Sequence, residues 1–346
     1  MGDTALFDAI IAHSIDLLRL DAGIRAQILY ILGKMEAELK LKLAEKELTA
    51  FNRQRTKQLL KETSAVIDGY YSQAQGVLDL NLEAIAPITA KDAAKSLVIV
   101  TTEATLPPAA YFKSLVGNLL IQGAPSAEWW SRQSADTAFK FSSAIRQGLA
   151  QGETNAQLIG RIAGGKGQAG IMDLAKQNAE ALVRTSVQTV ASEARLETFK
   201  HNKDVVKGLE QVSTLDGRTT EVCVAYSGAQ WDLHGNPING HTLPFNLGVP
   251  RHWNCRSVLV PITKTFKELG INFPEASKGS RASIDGQVSA DTTFDSWLSR
   301  RTVAQQDEQL GKGRAQLWRN GTITLQQLLD QRGNPLSLVE LKAKIH

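Results

Sequence analysis

Cysteine is nearly absent: the 346 residues hold two, Cys223 and Cys255, too few for the disulfide framework that staples small secreted domains. Aromatic residues are scarce at 6%, so the core has to be built mainly from Leu, Ile, Val and Ala, a helix-leaning set. No stretch approaches the roughly 18 uninterrupted apolar residues of a membrane span, so no membrane-spanning segment is expected. The opening MGDTALFDAIIAHSIDLLRLD places Asp3, Asp8 and Asp16 among its apolar residues, where a signal peptide would show a basic start and an unbroken apolar run. The expectation is a chain made in the cytoplasm with no address of its own. An excess of one charge is also missing: 39 basic against 35 acidic residues leave +4, whereas a dedicated nucleic-acid binder is usually far more basic. The remaining composition, 42% hydrophobic and 21% charged, suffices for a buried core and excludes wholesale disorder. The length points to two or three domains.

Proline placement divides the chain. None occurs in residues 1–86 or between Ser126 and Asn236, and four crowd into 237–261. Because proline breaks helix interiors, the free stretches permit long helices. Within the first, Ile28, Leu32, Met35, Leu39 and Leu43 recur at helical steps. Residues 34–61 hold eight Lys or Arg against four Glu. They form either a solvated helix face or a non-specific contact for double-stranded DNA through Lys40, Lys42, Arg53 and Arg55. The 86–112 stretch, with Pro87, Pro107 and Pro108, reads as a connection, and Leu97–Thr102 as a short strand or extended linker. From Ile171 to about Asn202 the helical period returns, with Arg184, Glu193 and Arg195 on the opposite face. The GGKG within 160–170 lacks the P-loop spacing and reads as a turn.

At Gly208 the texture changes. LEQVSTLDGRTTEVCVAYSG is β-branched and turn-bounded, and Asp216–Gly217 predicts a tight hairpin turn. A loop-rich segment follows and closes on a strand at Ser257–Val260. Residues 275–290 read as a surface linker, and the tail as short helices. The expected fold is mainly α with a small α+β module: an N-terminal helical region at 1–110, central helices at 111–204, a compact loop-rich β module at 205–265, a linker at 266–290 and a C-terminal helical tail at 291–346.

The module concentrates chemistry. Cys223, His234, His241, His252 and Cys255 fall within 33 residues, and thiolate and imidazole are the ligands zinc prefers. Three readings stand open: a structural zinc held by Cys223, His252, Cys255 and, as the better fourth candidate, His241; reduced thiols packed in a hydrogen-bonded knot; or a disulfide. Asp216, Arg218 and Arg256 are expected to cross-tie the loops. Trp231 and Trp253 are expected in the module's core. No hydrolase frame or nucleotide fingerprint occurs, and the chain is expected not to be an enzyme.

LDGRTTEVCVAYSG, a Gly/Pro-rich loop and then PRHWNCRSVLVPI resemble the head morphogenesis (minor head protein) family of tailed bacteriophages, typified by the F protein of phage Mu. The resemblance rests on Asp216, Arg218, Thr219, Cys223, Gly228, Pro250, His252, Cys255 and Arg256, with Arg184 and Thr185 matching the family's Arg-Thr helix. It extends over roughly Ala144 to Val339, and the first 110 residues match nothing. Tyr226 and Ser257 stand where many members carry further cysteines. The resemblance implies a structural component of the virion, inside the head near the portal vertex, with the portal protein and capsid or scaffold proteins as partners. A DNA-binding ejection protein and a toxin-like enzyme are the rival classes.

Overall fold

A computed structural model describes residues 2–45, 53–165, 167–246, 248–265, 267–269, 280–283, 286–289 and 292–345. In chain order the elements are α1 (Gly2–Ala44), α2 (Arg53–Leu97), α3 (Ala109–Asn118), α4 (Ser126–Ala150), α5 (Asn155–Ala163), α6 (Ile171–His201), β1 (Val206–Val212), α7 (Glu221–Ala225), β2 (Gln230–Asp232), β3 (Pro237–Ile238), β4 (Val258–Thr263), β5 (Ser280–Ser283), β6 (Gly286–Ser289), α8 (Phe294–Ser299), α9 (Val303–Leu310), α10 (Lys312–Arg319) and α11 (Leu338–Ile345). The expected class, mainly α with a small β-containing module, is the one found. No described helix is long and apolar enough to cross a membrane.

The chain divides into two compact units that interleave along the sequence. One comprises residues 1–17, 86–111 and 191–346, the other 18–85 and 112–190. This differs from the successive blocks expected at 1–110 and 111–204. The reason is the length of α1, α2 and α6, each of which contributes to both units.

The second unit is all helix. Its α1 stripe, Ile28, Leu32, Met35, Leu39 and Leu43, is buried throughout, as are Leu59, Ile67, Tyr71, Leu78 and Leu82 on α2. Steps of three and four place such residues on one helix face, which then has to be covered. Polar ties fix the partners. Asp21, buried, accepts from Arg25 at 2.9 Å and Arg184 at 3.4 Å. Glu36 pairs with both Lys40 and Lys176 at 2.5 Å. The Tyr71 hydroxyl meets Thr137 at 2.8 Å, with its ring 6.1 Å from that of Trp130. Thr154 and Gln157 form a reciprocal capping box at the start of α5.

The first unit carries the sheet, ordered β3-β2-β1-β4 and antiparallel throughout. Leu209 stands opposite Trp231 on one side and Pro261 on the other. Gly208 is required here, because a Cβ at that position would sit 2.6 Å from the Trp231 carbonyl, at a register shift in the β1–β4 ladder. The sheet packs on three helix ends: Leu6 and Ile10 of α1, Ala93 and Leu97 of α2, Leu196 and Phe199 of α6. A second cluster joins Leu215 and Val224 to Phe294, Trp297, Leu310, Leu328 and Leu341 of the C-terminal elements.

Several expectations are corrected. Pro87 lies inside α2, which continues to Leu97, because Ile85, Ala86, Ala90, Ala93 and Leu97 bury a continuous face. The short strand or extended linker expected at Leu97–Thr102 is therefore the end of that helix and a turn. Arg195 is not on a solvated face: it is 2% exposed, its guanidinium 3.4 Å from Ser14 Oγ, and burial pulls it down to about 10. Part of the expected 266–290 linker is the β5–β6 hairpin. The rest of that linker, residues 46–52 of the basic stretch and Lys166 of GGKG lie largely or wholly outside the described residues.

Candidate functional site

The Asp216–Gly217 turn does not join two strands. It leads from β1 into α7, a single helical turn that carries Cys223. The β-branched Glu221–Ala225 run reads as strand, but β1 already has both neighbours in β2 and β4. The turn is held by Asp216. Arg256 donates to its two carboxylate oxygens at 2.6 and 2.8 Å, Thr219 Oγ1 donates to Oδ1 at 3.1 Å, and the Arg218 backbone N–H donates at 3.1 Å. Burial pushes the Asp216 carboxyl up, but the hydrogen bond and charge of Arg256, with Thr219 and the Arg218 amide, bring it below the ordinary carboxylate range. The expected tie by the Arg218 guanidinium is corrected: that side chain is exposed, and only its amide joins the turn. Accordingly, Arg218→Ala should leave stability unchanged within about 0.5 kcal/mol in thermal melts.

Cys223, His252 and Cys255 come together, their ligand atoms all within 4.8 Å of one another. The two Sγ atoms are 3.6 Å apart, and Cys223 Sγ lies 3.2 Å from His252 Nε2. Both cysteines are buried and neither is in a disulfide. His252 Nδ1 faces the Trp253 carbonyl at 2.8 Å, and the exposed Thr220 hydroxyl reaches Nε2 at 2.8 Å. Within the pair, the hydrogen bond between the thiols and burial push Cys223 up, while the same bond, with His252 close by, holds Cys255 down. Burial pushes His252 down, but Cys255 and the Trp253 carbonyl outweigh it and hold the ring above its ordinary value.

His241, expected as the fourth ligand, is placed elsewhere. Its Nε2 meets the Gln230 backbone, its Nδ1 accepts from Leu243 N at 3.2 Å, and its ring packs edge-on against Trp231 at 5.2 Å. It closes the loop over the sheet edge. His234 is exposed in a turn. Gly228, with φ +81°, ends the segment after α7 and donates to the Gln211 carbonyl at 2.8 Å. Pro250 follows Val249 through a cis peptide bond. Trp231 is fully buried in the module core, whereas Trp253 is only half-buried.

Sequence reasoning missed the buried network beneath the thiols. Arg251 Nε donates to Gln211 Oε1 at 2.5 Å, Gln211 to Ser213 Oγ at 3.3 Å, and Ser213 to the Cys223 carbonyl at 2.7 Å, while Ser257 donates to Ser213 at 3.1 Å. The Arg251 guanidinium also stacks 3.4 Å from the Tyr226 ring centroid. Burial pulls it down to about 10, so it is still charged at neutral pH. The only sequence signal was its place in Pro250-Arg251-His252, among residues singled out for other reasons.

Residues 140–260 match the model of a family described as Phage Mu protein F like protein. Over that segment the chain is similar to the Mu F-like family. No curated protein and no solved structure matches the chain. The Mu F-like segment begins within α4 and ends within β4, so it contains Arg184, Thr185 and every resemblance residue from Asp216 to Arg256. It stops well short of Val339, the end of the resemblance in the sequence. Arg184 ties α6 to α1 through Asp21, whereas Thr185, fully buried, donates to the Ala181 carbonyl of its own helix at 2.8 Å.

The expected DNA-contact residues are dispersed. Lys40 is taken up by Glu36, Lys42 is half-buried and Arg55 is exposed. Arg53 starts α2, and its side chain lies outside the described residues. A different basic surface stands in the all-helical unit: an open groove of about 640 Å³ between α2 and α4, lined by Lys57, Leu60, Lys61, Phe139, Arg146 and Leu149 among others. Phe139 is 71% exposed there. Arg146 lies in the Mu F-like segment and the two lysines precede it.

Proposed function

We propose that the chain is a minor head protein of a tailed phage that joins the portal vertex during head assembly, with the portal protein and capsid or scaffold proteins as its partners. The Mu F-like match carries this reading. The architecture supports it: the Mu F-like segment holds one small sheet and its loops in shape through the Asp216–Arg256 pair and the buried Arg251 network. The cavity beside the Cys/His group measures only about 20 Å³, room for one water and no substrate. A non-enzymatic, structural role inside the virion fits these features. Coexpression with the portal protein from the same phage tests it. Comigration with the portal ring on sedimentation is expected, and a chain that sediments alone beside an intact ring would contradict the reading.

A second reading, contact with packaged DNA, draws support from the groove. Lys57, Lys61 and Arg146 line it without an acidic neighbour in the lining. Three phosphate contacts would give a log–log salt slope of about −2.7. Weak, sequence-independent binding at low salt is expected by fluorescence anisotropy, lost near physiological salt and weakened by Lys57→Gln, Lys61→Gln and Arg146→Gln together. Tight binding at high salt with a base preference would instead favour a dedicated DNA-binding protein.

A further inference from the structure

We infer that Cys223, His252 and Cys255 form a zinc site with three protein ligands and a fourth position open to solvent. This goes beyond the head-protein reading and does not depend on it.

A tetrahedral zinc ion with Zn–S about 2.3 Å and Zn–N about 2.0–2.1 Å requires S···S near 3.8 Å and S···N near 3.5 Å. The chain sets these atoms 3.6 and 3.2 Å apart, within a few tenths of an ångström of that frame and far beyond the roughly 2.05 Å of a disulfide. The histidine is also oriented for the role. The Trp253 carbonyl can only accept, so in the neutral ring Nδ1 carries the proton and Nε2 is the acceptor, with the Thr220 hydroxyl at 2.8 Å and the Cys223 sulfur at 3.2 Å. A ligating histidine fixed by a carbonyl at its other nitrogen is the usual supporting arrangement around zinc.

The fourth position follows from what surrounds the three. No other His, Cys, Asp or Glu among the described residues joins the group, and His241 is committed to the Gln230 and Leu243 backbone. On the open side lie the Thr220 hydroxyl and the small cavity lined by Arg218, Thr220, His252 and Asn254. At about 20 Å³, it has room for a single water molecule. The ion would therefore tie α7 to the loop before β4, with water completing its shell.

The test uses the full-length protein, purified under reducing conditions and reconstituted with zinc or cobalt(II). About one zinc per chain is expected by elemental analysis. The cobalt form should show intense tetrahedral d–d bands with a thiolate charge-transfer band. His241→Gln should keep the full equivalent. Cys255→Ser and His252→Gln should weaken affinity by more than the roughly 10–100-fold that loss of a supporting group costs. If those variants fail to fold, the zinc count and cobalt spectrum of the unaltered chain decide. Less than about half an equivalent of zinc, a weak six-coordinate cobalt spectrum, or loss of both free thiols to a disulfide would overturn the inference. Loss of zinc from a folded His241→Gln variant would also overturn it, in favour of a four-ligand site.

Discussion

Trp231→Ala is expected to cost about 3–5 kcal/mol, the usual range for truncating a fully buried tryptophan, and to dissolve the small sheet at ambient temperature. The indole is completely buried. Its Nε1 donates to the Leu243 carbonyl at 2.9 Å, and it packs against Tyr226 at 5.9 Å, Phe245 at 5.5 Å and His241 at 5.2 Å between ring centroids. Removing it empties the centre of a cluster to which β1, β2 and β4 all contribute and takes away one of the two rings, with Tyr226, that flank the Arg251 guanidinium. Trp253→Ala, at a half-buried loop position, should cost far less, on the order of 1 kcal/mol. Chemical denaturation followed by far-UV circular dichroism separates the two. Equal effects would mean that the module is not organised around Trp231.

Asp216→Asn is expected to lose roughly 2–4 kcal/mol, since it leaves the Arg256 guanidinium without its carboxylate in a largely buried place. The sign of the pH dependence follows from the lowered folded-state value. A carboxyl that is more acidic folded than unfolded contributes stability that is complete above the unfolded value of about 3.9 and disappears as pH falls through the folded one. The parent chain should therefore lose stability on the acid side more steeply than Asp216→Asn, and the two curves should converge at low pH. Parallel curves across that range would remove Asp216 from the account.

The helices were legible because their apolar residues recur with the helical period, as Ile28 to Leu43 do on α1. Pro87 misled for a local reason: it signals a break, yet the buried Ala and Leu face beyond it holds the helix together to Leu97. Glu221–Ala225 misled in the opposite way, since its β-branched residues favour a strand while both sides of β1 were already taken. The interleaved units were not legible at all, because periodicity reports a helix's face and not which neighbours it meets along 45 residues. At the site, residue types and loop density brought out Cys223, His252 and Cys255. They could not separate His252 from His241, whose direction is set by the Gln230 and Leu243 backbone groups. Arg251, Gln211 and Ser213 carry no distinctive signal in a single sequence, although together they support the thiols from beneath.

The central claim, that a chain with a Mu F-like segment at residues 140–260 is built into the phage head, is tested most directly by quantitative mass spectrometry of gradient-purified procapsids and mature particles. The account predicts peptides of this chain in both, at a constant low ratio to the portal protein. Their absence from procapsids and virions alike, with the chain left in the soluble lysate, would contradict it.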